Sequence, residues 1–217
     1  MDSNCMMRLV AGVLLTVATP GLAAASSKQQ FVAGSTTYHV SVPDGFCLPK
    51  GDELVEAKYY ASLDDTNHTP VDLERCGTFN IDYTLVKFAK DNEPISLPRA
   101  VFVSVLARDF EEEVAEDEID SAVGDVRDDM AEKTEGELTL GDAEFGYIGH
   151  DKDCVYLGGR MEVVVGTERF WRRVASCITI VGDRVFSIHS YANEDLEISV
   201  ETLKRRSNRV ALSITAQ

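Results

Sequence analysis

The residue types that could support catalysis lie around one histidine near the end of the sequence. His189 stands in the run Ser187-Ile188-His189-Ser190-Tyr191, and Ser176 belongs to the preceding predicted strand. A serine hydroxyl beside an imidazole is the pair used in nucleophilic catalysis, where the histidine removes the proton of the attacking serine. The sequence has no G-x-S-x-G motif and no identifiable acid to orient the histidine. We therefore interpret His189 as a strand histidine bonded to hydroxyls, with a small secreted hydrolase using Ser176 or Ser190 as the alternative.

Two polar runs contain residue types that bind metal ions. His150-Asp151-Lys152-Asp153 and Asp64-Asp65-Thr66-Asn67-His68 each combine carboxylates with an imidazole. The first run lacks the spacing and the distant glutamate of a calcium loop, and Lys152 places a positive charge in its centre. The second run is loosely spaced for a cation. We interpret the first as a hairpin turn and the second as part of a polar loop over Asp64–Pro70, and we expect no metal ion and no other cofactor.

The strongest charge feature is an acidic stretch in the middle of the chain. Residues 109–137 carry 14 acidic and 2 basic residues, a net −12 of the −16 of the whole protein. Apolar residues recur with the helical period in residues 111–133, which predicts one amphipathic helix with acidic outer faces. Such a face often serves solubility alone, but it can also steer a protein toward a basic partner. The candidate interaction face consists of Glu112, Glu116, Asp120 and Asp129.

Charge and composition exclude several classes of protein. A net charge of −16 argues against nucleic-acid binding and against docking on anionic lipid, because both need a basic surface. With 44% hydrophobic and 27% charged residues, the chain is an ordinary globular mixture. This mixture excludes a wholly disordered chain, a collagen-like chain and a coiled coil.

The first 25 residues have the pattern of an export signal. A positive residue is followed by the apolar run Leu9–Ala18 and then by small residues. This order predicts a cleaved signal peptide over residues 1–25 and a single domain over residues 26–217. The start codon stays open, because translation from Met6 or Met7 would give a more conventional signal. No later run approaches the roughly 18 apolar residues of a membrane span, so we expect a periplasmic or secreted protein without stable membrane insertion.

Four cysteines would remain after cleavage: Cys47, Cys76, Cys154 and Cys177. An even number in an oxidising compartment predicts two disulfide bonds. Three pairings are possible, and we favour Cys47–Cys76 and Cys154–Cys177 because each pair lies within one half of the chain. A zinc site is the alternative, but zinc cysteines usually come as C-x-x-C pairs, which the sequence lacks.

The elements that must position these residues are strands and helices in both halves of the chain. Alternating apolar residues predict strands over Thr37–Val42 and Ile81–Phe88, and a four-residue step predicts a helix over Asp52–Leu63. The run Val101–Ala107 is nearly all apolar and rich in β-branched residues, which predicts a central strand buried on both faces.

The last third of the chain is strand-rich. Its candidate strands are Glu144–Gly149, Cys154–Leu157, Arg160–Val165, Phe170–Val181 and Arg184–Tyr191. The turn Val181-Gly182-Asp183-Arg184 predicts a tight hairpin, whose two-residue loop places Ser176 opposite His189. A helix near residues 197–213 closes the chain. Its residues predicted to face water are Lys204, Arg205, Arg206 and Arg209.

Aromatic and basic residues meet in the run Phe170-Trp171-Arg172-Arg173. Exposed on a strand, they would form a contact patch of the kind that binds a partner. We favour a different arrangement, with one of Phe170 and Trp171 in the core and the arginines paired with the acidic helix, because large aromatic side chains are usually buried.

Three passages resemble the Mog1/PsbP-like group of α/β/α sandwiches. They are Phe31–Cys47, a strand with a P-x-G-[FW] turn, Val101–Glu132, a strand followed by the acidic helix, and Phe170–Ile214, the closing hairpin and helix. The paired cysteines and the long gap between residues 48 and 100 depart from the group. The resemblance implies an α+β fold in which one mainly antiparallel sheet is flanked by helices. It carries over no catalytic residue, because such folds serve as binding partners, accessory factors and chaperone-like modules.

Together these features favour an exported, disulfide-stabilised, non-enzymatic domain that binds another protein or acts as an accessory factor of the envelope. The expected partner is an exported protein with a basic surface. A sharper version is a secreted inhibitor or immunity protein that presents its acidic helix to a basic toxin or enzyme. The small secreted hydrolase and a metal- or ligand-binding protein are the competing hypotheses.

Overall fold

The computed structural model describes residues 27–112, 124, 127–128 and 131–217. The predicted signal peptide lies outside the described residues, and so do Glu116, Asp120 and Asp129 of the candidate interaction face. Within the described part of the chain, the strands form one three-stranded and one seven-stranded sheet, both antiparallel throughout.

The larger sheet contains the strands on which the candidate residues lie. In spatial order its strands are β3 (Phe46–Cys47), β4 (Asn67–Arg75), β5 (Asp82–Ala89), β9 (Arg184–Asn193), β8 (Glu168–Val181), β7 (Val155–Val165) and β6 (Leu138–His150). The smaller sheet contains β1 (Lys28–Ala33), β2 (Thr36–Ser41) and β10 (Thr215–Ala216). The predicted strands at Thr37–Val42 and Ile81–Phe88 are confirmed as β2 and β5.

Two details of the predicted strands and loops are wrong. The candidate strands Cys154–Leu157 and Arg160–Val165 are parts of the single strand β7. The predicted polar loop over Asp64–Pro70 ends early, because β4 already begins at Asn67. The Asp64 carboxylate accepts the backbone N–H groups of Thr66 and Asn67, so the turn closes there and the chain enters the sheet at once.

The helices of the described residues are α1 (Asp52–Ser62), α2 (Arg99–Glu112) and α3 (Val200–Ser213). The helices predicted over Asp52–Leu63 and near residues 197–213 are confirmed as α1 and α3. At the start of α3 the Ser199 hydroxyl accepts the backbone N–H of Thr202, which satisfies one of the donors that a helix N-terminus leaves free.

The strand predicted over Val101–Ala107 is wrong, because these residues lie inside α2. Val103 and Ala107 are four residues apart and are buried against Val155, whereas Val101 and Val105 are exposed. The run is therefore helical and only half-buried. A short apolar run fits a buried strand and a helix equally well, and contacts with the sheet decide between the two.

The helices α2 and α3 cover opposite faces of the larger sheet. On α3, Leu203 packs against Ala175 of β8, whereas Val103 of α2 packs against Val155 of β7. Val155 is paired with Ile178, three residues beyond Ala175 on β8, so the two contacts lie on opposite faces of that strand. We call these the α3 face and the α2 face. The antiparallel sheet with flanking helices is the α+β arrangement that the sequence predicts.

Both disulfide bonds connect the cysteines that the favoured pairing joins. Cys154–Cys177 is buried in the main core on the α3 face, with a Cα–Cα distance of 5.3 Å. Cys47–Cys76 joins β3 to the end of β4 at the sheet edge, with a Cα–Cα distance of 5.1 Å. Both distances suit an ordinary disulfide. No helix of the described residues is long and apolar enough to cross a membrane.

Candidate functional site

The α2 face carries a row of polar and ionisable side chains on neighbouring strands. The strand register places Glu74 opposite Tyr83 and Tyr83 opposite Tyr191. In the next row, Leu85 lies opposite both Asp72 and His189. Since directly paired residues of antiparallel strands point to the same face, β4, β5 and β9 assemble these side chains from distant parts of the chain.

His189 lies opposite Ser176, as the hairpin register predicts. Its Nδ1 atom is 2.7 Å from the Ser176 hydroxyl, and its Nε2 atom is 2.9 Å from the Ser187 hydroxyl. Burial, with help from the nearby Lys87 ammonium, lowers the pKa of His189 to about 3. The imidazole is therefore neutral at pH 7. Both of its nitrogens bond to hydroxyl groups, which agrees with our interpretation of a strand histidine.

The other serine of the hydrolase alternative lies on the far side of the sheet. The Ser190 hydroxyl is 2.9 Å from the Thr84 hydroxyl and 2.8 Å from that of Ser207 on α3. Neighbouring residues of a strand point to opposite faces, so Ser190 and His189 cannot meet. Of the two serines named for the hydrolase, only Ser176 contacts the imidazole.

Two carboxylates on β4 form a part of the site that sequence reasoning missed. Asp72 and Glu74 are two residues apart and point to the α2 face, where only 5% of Glu74 is exposed. Burial and repulsion by Asp72 raise the pKa of Glu74 to about 8, and burial raises that of Asp72 to about 6. At neutral pH such a pair holds a proton, so it can act as an acid or a base.

The hydrogen bonds of these two carboxylates differ. An oxygen of Glu74 accepts the backbone N–H of Asn80 at 2.9 Å. The Asp72 Oδ1 atom is buried without a hydrogen-bond partner among the described residues. A pattern could have revealed the pair, because Asp72 and Glu74 alternate with the buried Val71 and Leu73 as a strand requires.

Arg172 is the buried cation of this face, with 8% of the residue exposed. Its guanidinium donates to the Tyr83 hydroxyl at 2.7 Å and to the Asn80 carbonyl at 2.8 Å. Its Nε–H donates to the side-chain oxygen of Asn193 at 3.1 Å. All three acceptors are neutral, so within the described part of the chain the charge of Arg172 is solvated by dipoles. Its field also opposes the rise in the pKa of Glu74.

The favoured interpretation of the run around Trp171 is wrong. Neither Phe170 nor Trp171 is fully buried, and the interior position belongs to Arg172. Among the described residues, the carboxylate partner of Arg173 is Glu194 of the short 3-10 helix, at 3.0 Å. Strand alternation turns Arg172 inward, and its three acceptors make a buried guanidinium tolerable there.

The two polar runs have roles in turns. Asp151 accepts the backbone N–H groups of Asp153 and Cys154, which closes the hairpin turn that we predicted. Burial alone would raise the pKa of Asp64, but Lys87 at 2.8 Å and the Asn67 N–H outweigh burial and hold the pKa well below its usual range. The described residues contain no group of three or more His, Cys, Asp or Glu side chains that could hold a metal ion.

The comparisons with known proteins concern the fold. No protein-family model matches the sequence, and a search of curated proteins found no match. The chain is similar to the solution structure of cyanobacterial PsbP (CyanoP) from Synechocystis sp. PCC 6803, at 15% identity and a TM-score of 0.41. The match covers 93% of this chain and 99% of that one.

The charged surfaces on the two sides of the sheet differ in sign. Glu111 and Glu112 end α2, and the Glu112 side chain is exposed at the start of the acidic stretch. Across the sheet, α3 carries the exposed Arg205 and Arg209. The prediction that Arg206 also faces water is wrong, because its guanidinium bonds to the buried carboxylate of Asp82. Among the described residues, the end of α2 is thus acidic and the outer side of α3 is basic.

Proposed function

We propose that this chain is an exported, non-enzymatic accessory domain that binds a basic partner protein through its acidic side. The observation that carries this proposal is the concentration of acidic residues in one stretch of the chain. Residues 109–137 hold a net −12 and begin in the last turn of α2, while α3 carries exposed arginines on the other face of the sheet. A field of one sign on one side accelerates encounter with a partner of opposite charge and orients it.

The basic residues of the acidic stretch contact other parts of the fold. The guanidinium of Arg127 donates to the carbonyl of Gly141, outside the stretch. The ammonium of Lys133 binds the Asp65 carboxylate at 2.8 Å and the Leu63 carbonyl at 2.6 Å. Both cations thus tie the stretch to other parts of the fold.

Export is the second part of the proposal. Two disulfide bonds in one domain favour an oxidising compartment, because cytosolic thiols are kept reduced. The signal-like pattern of residues 1–25 supports the same location. Mass spectrometry of the native exported protein should find its N-terminus near residue 26 and no free thiol. An intact N-terminus with free thiols at Cys47, Cys76, Cys154 and Cys177 would contradict export.

The binding test compares two variants with equal charge changes. The first neutralises the candidate interaction face with Glu112→Gln, Glu116→Gln, Asp120→Asn and Asp129→Asn. The matched control neutralises four exposed carboxylates elsewhere with Asp44→Asn, Glu53→Gln, Glu93→Gln and Glu168→Gln. Each immobilised protein is incubated with periplasmic extract at about 50 mM and about 500 mM salt, and captured proteins are identified.

We expect the wild type and the control to retain the same basic protein at low salt and to lose most of it at high salt. The face variant should lose that protein at both salt concentrations. Equal capture by the face variant would refute the acidic face as the binding surface, and no capture by the wild type at either salt concentration would refute the binding function. If the captured protein is a toxin or enzyme, inhibition of its activity by this domain would establish the inhibitor version.

A further inference from the structure

A cavity of about 470 Å³ opens at one end of the larger sheet, away from the polar row of the α2 face. It lies between the turn that joins β1 and β2, the start of β4 and the end of β5. Its apolar wall includes Val32, Pro70 and Phe88, and its polar groups include Thr69, Lys90 and Arg184. None of the described residues that line it is acidic, although the protein carries a net charge of −16.

Arg184 is the distinctive group of this cavity. Its side chain is only 13% exposed, and its buried Nε–H has no hydrogen-bond partner within the described residues. The carboxylate of Asp183 is 3.9 Å from that nitrogen, which is beyond hydrogen-bond distance. A guanidinium largely removed from water is costly to bury, and an anion in the cavity lowers that cost through its charge.

The turn between β1 and β2 makes room for this guanidinium. Gly34 has φ of +62°, a conformation that disfavours any residue with a side chain. A Cβ atom on Gly34 would lie 2.5 Å from the Nη2 atom of Arg184, closer than the two atoms can approach. The turn therefore favours glycine at this position, and the absence of a side chain leaves room for the Arg184 guanidinium.

Further donors surround the same space. The Thr69 hydroxyl is buried in the cavity wall and has no partner among the residues that the structure describes. The Lys90 ammonium donates to the Asp64 carbonyl at 2.9 Å, which leaves two of its three N–H groups available. The cavity wall therefore combines the largely buried guanidinium of Arg184, the ammonium of Lys90 and the side chain of Phe88.

We propose that this cavity binds a small organic anion, with Arg184 and Lys90 on its carboxylate or phosphate group and the apolar wall against its body. Guanidinium groups bind both kinds of oxyanion through paired charge-assisted hydrogen bonds. The apolar wall, with Phe88 and Pro70, favours a compound with a short hydrocarbon or aromatic part over a bare inorganic ion. This site is independent of the acidic interaction face.

The test titrates the oxidised domain with benzoate, phenyl phosphate and neutral benzamide, and follows binding by calorimetry and by NMR shifts. We expect at least one of the two anions to bind, and benzamide to bind at least about tenfold more weakly than that anion. The anion that binds more tightly shows whether the site prefers a carboxylate or a phosphate group. The proposal is overturned if neither anion binds with a Kd below about 10 mM, or if benzamide binds as tightly as the anion with the lower Kd.

Variants locate the binding. Arg184→Gln should weaken binding of the tighter-binding anion at least about tenfold. Arg205→Gln, which removes an exposed arginine on α3, should leave the affinity for that anion unchanged. Unchanged affinity in a folded Arg184→Gln protein overturns the proposal. If circular dichroism shows that Arg184→Gln does not fold, the Lys90→Gln and Thr69→Val variants test the site instead. Each should weaken binding about threefold, and full affinity in both would reject the site.

Discussion

The two faces of the larger sheet give their buried polar groups different hydrogen-bond and charge partners. On the α3 face, the hydroxyls of Thr84, Ser190 and Ser207 form one hydrogen-bonded chain. The single ion pair of the described residues that is buried on this face joins Arg206 to Asp82. Every member of these contacts has its partner, whereas Arg184, which is paired with Val181 on the same face, keeps a buried Nε–H without a partner among the described residues.

On the α2 face, Arg172, Asp72, Glu74 and His189 are buried without an ion pair among the described residues, although Lys87 of the same face pairs with Asp64 at 2.8 Å. The charge of Arg172 is bonded to neutral acceptors, and the protons of Asp72, Glu74 and His189 are bound with shifted pKa values. Shifted pKa values are frequent at sites that bind or react, and structural networks of ionisable groups also produce them. The α2 face thus holds its buried charges in a less paired state than the Arg206–Asp82 contact of the α3 face.

The largest expected effect is a difference in stability between variants of the two buried arginines, Arg206 and Arg172. Arg206→Met leaves the buried Asp82 carboxylate without its partner, so we expect a loss of about 3–5 kcal/mol in the free energy of unfolding. Arg172→Met leaves only neutral acceptors behind, and we expect a loss of about 1–2 kcal/mol.

Urea unfolding at pH 7 of both variants checks this difference, with Arg205→Met as the control at an exposed position of α3. The control should unfold like the wild type. An equal loss for Arg172→Met and Arg206→Met would show that the two faces do not differ in the way that their hydrogen bonds indicate.

The second effect is a dependence of stability on pH that arises on the α2 face. The folded pKa of Glu74, about 8, lies above its ordinary value, so the folded state holds this proton more tightly than the unfolded state does. Its contribution to stability is complete at low pH and is lost as the pH rises through 8. Between pH 6.5 and 8.5 we expect the free energy of unfolding to fall by about 1–2 kcal/mol.

The variant Glu74→Gln should remove most of that fall, because an amide does not titrate and its oxygen can still accept the Asn80 N–H. His189 does not interfere, since its lowered pKa makes a contribution that is complete above about pH 6.5 and is lost only as the pH falls toward 3. Glu93→Gln, at an exposed carboxylate, is the control. A slope in Glu74→Gln equal to that of the wild type would disprove the assignment.

The smallest expected effect concerns the hydrolase alternative. Because both nitrogens of His189 bond to hydroxyls and no described carboxylate bonds to the ring, we expect no labelling of the wild type by a fluorophosphonate probe. Labelling that disappears in both His189→Ala and Ser176→Ala would reverse this prediction and make the α2 face an active site.

Several local features were predictable because neighbouring residues decide them. The Gly182-Asp183 loop sets the register of the hairpin, so the contact between Ser176 and His189 follows from counting along two strands. The alternation within β5 and the amphipathic spacing of α3 likewise depend on residues close in sequence. The Val101–Ala107 run has no such signal, and its helix follows from contacts with β7.

By itself, the sequence determined the strand periods, the hairpin register, the concentration of acidic residues and a preferred pairing of four cysteines, since each depends on local spacing or on composition. Only the tertiary structure decided that Glu74 and Arg172 are buried together, that Arg206 meets Asp82, and that Arg184 lies against Gly34. The reason is physical: the pKa of a carboxylate and the partner of a guanidinium depend on the removal of water by elements far apart in the chain.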